Sequence, residues 1–535
     1  MIGSFRQSMT WLHTWAGLVV CWILYFMFVT GTVGYFYTEI DRWMQPDRPV
    51  AMDASFSEAV AVGRAHLERE GAGADRWFIN PPRGREIPHL RTFWQKPAAE
   101  DGGDIQRGND ELDMRTGETV PESVRETGGG QTLYRMHYIL HYLNRDIAYR
   151  LVGILTLIMF IGMVTGIVVH KKIFKDFFTF RFAKGQRSWL DMHNLFSVTS
   201  LPFQLMITYS GLIFMVTTWM PLVAIGSYNF DTEKAAEVIS EATGEVSIEA
   251  AGVPAELVAF EPVIARAEQA WGDDSLMRME VRHPGDANAR IIVYRKENAS
   301  RVPARMVFDG VSGEVLDGRT DYVSTPIVVA ATFLGLHEGL FAGPVLRWLY
   351  FLSGLLGTAM IATGAIYWTA KRRNKNPDEP EGRGFRFVEC LNIGTVVGLP
   401  IGIAAYFLAN RLLPLGMENR AEWEVHVMFI VWGLTLLYPV LRSRVEAWRE
   451  QAWLAAAAFA AIPVVNVLTT DNAHLLVTLP AGDWVLAGFD LTAIAAAVLF
   501  VVAALLIGRY RPRSHQSVEA AAERGDATAQ SSAVA

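Results

Sequence analysis

Two stretches of this chain repeat one pattern, and the pattern dictates membrane helices. The first is Trp11 to Tyr37, WLHTWAGLVVCWILYFMFVTGTVGYFY, which contains no charged residue. About 20 apolar residues suffice to cross a bilayer as a helix. His13 lies near its start, and a Thr30-Gly31 step follows seventeen residues later. From Trp189, WLDMHNLFSVTSLPFQLMITYSGLIFM places Ser210-Gly211 seventeen residues after His193. An imidazole and a hydroxyl-glycine step, repeated at one spacing, imply a duplicated membrane unit.

Eight spans are expected, at 11–37, 147–170, 195–220, 346–370, 388–410, 424–441, 452–470 and 484–508. With 51% apolar and 19% charged residues, the chain is too apolar to be wholly soluble and too charged to be wholly membrane. The excess charge falls in two inserts, 40–135 and 221–335. Lys and Arg orient the spans. The basic loop 171–194 carries Lys171, Lys172, Lys175, Arg181, Lys184 and Arg187, and clusters follow at Lys371–Lys375, Arg442–Arg449 and Arg509–Arg513. One orientation satisfies all of them: both termini cytoplasmic and both inserts periplasmic. The first span lacks a small-residue cleavage site and reads as a retained anchor. A net charge of −7 without a basic stripe gives no support for a nucleic-acid partner. Cys21 and Cys390, the two cysteines, both lie in apolar segments. The tail 514–535 has no periodicity and reads as disordered.

The inserts share the duplication. Each opens on a helix-like piece, Phe56–Glu70 and Glu261–Trp271, and continues in short alternating stretches that suit strands. Each contains a similar turn, Asp113-Met-Arg-Thr-Gly117-Glu118 and Asp309-Gly-Val-Ser-Gly313-Glu314. Span two is preceded by His137 and His141 and ends in Thr165-Gly166; span four is preceded by His337 and ends in Thr363-Gly364. His141 lies 24 residues before its Thr, and His337 lies 26 before its own. The unit is therefore an inner-end His, an outer insert, an outer His and a return helix, present twice. Spans five to eight show no such pattern, and His426 and His474 read as structural.

Imidazoles at membrane depth are costly and tend to mark function. In an up-down-up-down bundle, spans one and three share one diagonal and spans two and four the other. His13 with His193, and His141 with His337, then form two pairs at two depths, the arrangement that bis-His haem requires. His137 lies one turn before His141 and is an alternative ligand; His170, at the inner end of span two, is another. Zinc is the competing metal, with His137 and His141 at i, i+4, but a His-Glu-x-x-His pattern is missing. Gly17, Gly31, Gly34, Gly166, Gly211 and Gly364 let helices approach one another or a flat disc.

Residues 9–373 resemble the PepSY-associated transmembrane helix family, which includes inner-membrane haem-b ferric-siderophore reductases. The residues that carry the resemblance are Trp11-Leu12-His13-x-Trp15-x-Gly17 with Thr30-Gly31, His170-Lys171-Lys172, Asp191-Met192-His193-Asn194, Leu201-Pro202-Phe203 and Leu336-His337-Glu338-Gly339. The fold class expected is mainly α and polytopic: a four-helix haem-binding bundle, two periplasmic α+β PepSY-like inserts, and four appended C-terminal transmembrane helices at 388–508. The resemblance implies an inner-membrane oxidoreductase carrying two b-type haems and reducing a ferric siderophore or another periplasmic acceptor. The sequence has no G-x-G-x-x-G after a strand, so the donor is expected to be separate, a quinol or a reductase. The rival readings are a membrane-anchored module that binds a periplasmic partner, with the histidines joining helices, and a transporter accessory.

Overall fold

The structure is a computed structural model, and it describes residues 4–48, 54–83, 87–96, 105–170, 181, 184–215, 248–296, 304–317, 325–375 and 382–509. Half of the basic loop (171–180 and 182–183), the start of the second insert and the C-terminal tail lie outside the described residues. The chain forms two compact units, Met1–Lys371 and Arg372–Ala535.

The first unit contains four long helices: α1 (Phe5–Gly34), α5 (Arg145–Val169), α6 (Gln186–Phe214) and α9, which runs on to Lys375 from Pro344. Shorter helices lie between them: α2 (Tyr37–Met44) and α4 (Gly129–Ile139) before α5, and α8 (Thr325–Glu338) before α9. Seven described helices are long and apolar enough to cross a membrane, against the eight spans expected. The span outside that set is α6. Its 29 residues are long enough, but Ser197, Thr199, Ser200, Gln204, Thr208 and Ser210 dilute its apolar character, and residues 216–220 lie outside the described set.

The inserts supply α3 (Phe56–Glu70) with β1 (Arg76–Asn80), β2 (Leu90–Gln95) and β3 (Arg107–Leu112), then α7 (Phe260–Trp271) with β4 (Leu276–Arg282), β5 (Arg290–Arg295), β6 (Arg305–Asp309) and β7 (Val315–Asp317). Helix α3 starts where its sequence says it must. The Ser55 N–H donates to Glu58 Oε2 at 2.9 Å, and the Glu58 N–H donates to Ser55 Oγ at 3.2 Å, a reciprocal cap. The two similar turns of the inserts are built alike. Gly117 and Gly313 have φ of +70° and +76°, and their N–H groups donate to the Asp113 and Asp309 carbonyls at 2.8 and 3.0 Å. The Asp309 carboxylate accepts the Val311 and Ser312 N–H groups, which hold it below the usual carboxylate range.

The inserts are not two separate α+β modules. They share one seven-stranded antiparallel sheet in the order β3-β2-β1-β4-β5-β6-β7. The seam is β1 against β4, with Trp77 opposite Val281 and Ile79 opposite Met279. Each insert alone would leave its first strand as an open edge with unpaired backbone groups; pairing the two edges removes both. One core then spans the seam, joining Leu67 and Val60 of α3 to Val263 and Ile264 of α7 over Ile79, Met279 and Phe308.

The second unit holds α10 (Arg383–Val396) and α11 (Gly398–Leu412), which together make one span, then α12 (Arg420–Leu437), α13 (Arg444–Thr469) and α14 (Trp484–Gly508). Arg411 and Arg420, on either side of the short connection between α11 and α12, are buried inside it, at 4% and 1% exposure. Arg420 donates to Glu424 Oε1 at 2.6 Å and Asn410 Nδ2 donates to the same oxygen at 2.8 Å. Arg411 donates to Asn466 Oδ1 at 2.9 Å, and Asn466 donates to Asp490 at 3.1 Å. Two cations and two anions thus close a neutral network across four helices. Removing one partner of a buried pair leaves the other charge uncompensated, at a cost of about 3–5 kcal/mol. Arg420→Ala should therefore lower the melting temperature of the purified protein markedly. Arg442→Ala, at a half-exposed pair with Glu450, should leave it nearly unchanged.

Candidate functional site

Four histidines meet in two pairs inside the first unit. His13, near the start of α1, and His193, near the start of α6, have ring centroids 6.3 Å apart with planes at 61°. His137, near the end of α4, and His337, near the end of α8, have centroids 6.2 Å apart with planes at 42°. The inner pair is the one expected from the sequence. In the outer pair His137 stands where His141 was expected.

The reason lies in the backbone. Helix α4 ends at Ile139, and Leu140 and Tyr142 both take positive φ, +48° and +70°. That turn removes His141 from the helix, and its ring lies 4.3 Å from the Tyr142 ring instead. The i, i+4 relation of His137 and His141 is lost with it. Among the described residues no group of three metal-ligating side chains exists, which leaves the zinc alternative without the three protein ligands it needs. His170 closes α5, its N–H donating to the Gly166 carbonyl at 3.1 Å. It lies close enough to His193 to interact with it electrostatically.

Each ring of the four has the same kind of seat. His137 lies on Thr30-Gly31, His13 on Thr165-Gly166, His337 on Ser210-Gly211 and His193 on Thr363-Gly364. A Cβ at these glycines would meet the corresponding ring at 2.6, 3.1, 3.2 and 3.0 Å. The carbonyl three residues before the hydroxyl residue takes the ring's Nδ1: Met27 O for His137 at 2.7 Å, Gly162 O for His13 at 2.8 Å and Met360 O for His193 at 2.9 Å. A carbonyl can only accept, so Nδ1 carries the proton and Nε2 the lone pair. The hydroxyls turn back on their own helices, as Thr30 does to the Phe26 carbonyl at 2.8 Å. For His337 the Nδ1 partner is Ser210 Oγ at 2.8 Å.

These pairs fit an iron porphyrin. Two imidazole nitrogens each about 2 Å from a shared metal, with ring centres roughly 1 Å further back, put the centroids about 6 Å apart. Both pairs have that separation. A cavity of about 470 Å³ opens beside the outer pair, lined by both of its histidines, by Met27, Phe28 and Gly211, and by Tyr134 and Glu338. Ligand sites usually combine such apolar walls with a few polar groups. Along α1, His137 bonds a carbonyl fourteen residues beyond His13 (27 − 13), a separation of roughly 21 Å at helical rise. The two pairs therefore sit at two depths.

One positioning residue carries no sequence signal. Asp41, on α2, accepts the Gly130 and Gln131 N–H groups at 2.7 and 3.4 Å and so caps the helix that presents His137. Burial pushes its carboxyl up to about 6, against those backbone donors. A Cβ at Gly130 would collide with the Tyr37 carbonyl oxygen, so the position calls for glycine. The seats generate a prediction: Gly31→Ala should displace His137 and lower the melting temperature of the purified protein. Gly17→Ala, whose Cβ would meet nothing within 4 Å, should leave it unchanged.

A search of curated proteins finds no significant match to the chain. The family described as the PepSY-associated TM region matches residues 10–371, the stretch that contains all four seats and both inserts. With about two thirds of its length matched, this polytopic membrane chain belongs to the PepSY-associated TM family.

Proposed function

We propose that the chain is an inner-membrane electron-transfer protein holding two b-type haems, His13 and His193 serving one and His137 and His337 the other. The observation that carries this reading is the repeated facing pair, each ring oriented through Nδ1 with its Nε2 left for a metal. Bound there, the two groups would supply reversible one-electron chemistry at each membrane face. The chain's own contribution is the axial nitrogens, the glycine seats that let a ring enter between helices, and the apolar walls that exclude water.

The substrate we propose is a ferric siderophore reached from the periplasmic side. Iron(III) is held tightly by hard oxygen donors and iron(II) much less so, which makes one-electron reduction a route to release. The basic clusters that follow the return spans support cytoplasmic termini and a periplasmic sheet. The donor is proposed to be a quinol or a separate reductase, since no nucleotide-binding motif precedes a helix in this chain. Histidines that only joined helices would be expected to use both ring nitrogens, whereas here, among the described residues, the hydrogen bonds of all four rings are at Nδ1.

The test is a dithionite-reduced minus oxidised absorption spectrum of the purified protein, with haem quantified per chain. Two b-type haems per chain, reducible and low-spin, are the expected result. A colourless protein, purified from cells supplied with haem, would remove the reading.

A further inference from the structure

Three of the four seats are chemically alike, and the fourth is not. Thr30, Thr165 and Thr363 each precede a seat glycine, and at each the ring's Nδ1 donates to a backbone carbonyl at 2.7–2.9 Å. At the fourth step the residue is Ser210. Its Oγ lies 2.8 Å from His337 Nδ1, whereas Thr165 Oγ1 stays 3.5 Å from His13 Nδ1. Ser210 donates its own proton to the Met206 carbonyl at 2.6 Å, so it meets His337 as an acceptor. The Ile207 carbonyl is the counterpart in sequence of the other three acceptors, three residues before the hydroxyl, but at this seat the Nδ1 hydrogen bond goes to the hydroxyl.

We propose that Ser210 tunes the electronic character of His337 as an axial ligand, raising the reduction potential of the outer site above the value a fourth Thr-Gly seat would give. The proposal rests on the two-haem reading above. A ring whose N–H is held by a strong acceptor becomes a more basic ligand and favours the oxidised metal. An amide carbonyl oxygen carries resonance-supplied charge that a hydroxyl oxygen lacks. Holding the His337 proton on a hydroxyl in place of a carbonyl therefore leaves this ring less basic than its three counterparts. The seat with serine is the one where hydroxyl and ring nitrogen come to 2.8 Å, against 3.5 Å at the Thr165 seat. Ser210 is thus a positioning residue that touches the ligand and not the iron.

Redox titration of the intact protein tests this. Two midpoint potentials are resolved in the unmodified chain, and the outer one is identified as the wave missing from His337→Ala. Ser210→Thr should lower the outer midpoint and leave the inner one in place, with two haems per chain retained. Ser210→Ala, which removes the hydroxyl and leaves the Ile207 carbonyl as the counterpart of the other three acceptors, should shift it in the same direction and decides the matter if the threonine does not fit. A rise in the outer midpoint, or no shift in either variant, would overturn the proposal. Absence of haem from the unmodified chain would instead show in the absorption spectrum, and would remove the two-haem reading and this inference together.

Discussion

An imidazole can lie between two packed helices only where one of them gives up a side chain, and the rest of the first unit is arranged around that requirement. A glycine removes the Cβ that would collide with the ring. The hydroxyl residue before it bonds its own helix, and a carbonyl one turn earlier takes the ring's proton. Membrane interiors offer no water to satisfy an Nδ1–H, so the carbonyl acts as both polar partner and orienting contact. Four such seats on α1, α5, α6 and α9 set four rings in two pairs. Metal-binding histidines generally need such a partner to fix the tautomer, and here the bundle's own backbone supplies three of the four.

The same duplication is read differently outside the bundle. There the two copies do not meet as facing ring pairs; they fuse edge to edge. Strands β1 and β4 pair antiparallel, as equivalent elements do across a two-fold axis, and the core under α3 and α7 becomes continuous. A small half-sheet on its own has little apolar surface to bury, so fusion gives both inserts a shared core. It also gives the two halves of the chain a common anchor on the side where α4 and α8 present their histidines.

The sequence made the bundle legible because the seats recur at fixed spacing: His13 to Thr30 and His193 to Ser210 are both seventeen residues. The outer pair was less legible. His337 stands 26 residues from its Thr; His141 stands 24 from Thr165, and His137 stands 28. Both candidates miss by two, so spacing could not choose between them. Two positive-φ residues decided it, and neither is a glycine that would announce the turn. The seam was hidden for a different reason. Residues such as Arg76 and Arg282, more than two hundred apart, pair through backbone hydrogen bonds, which leave no local pattern. In the second unit, Arg411 and Arg420 flank a short connection and so look exposed; only the fold shows that Asn410, Glu424, Asn466 and Asp490 enclose them.

The account depends most on which histidine completes the outer pair. Haem per chain, measured in His137→Ala and His141→Ala side by side, tests it directly. The geometry predicts that His137→Ala retains one haem of two while His141→Ala retains both. Loss of a haem from His141→Ala with full occupancy in His137→Ala would contradict the account.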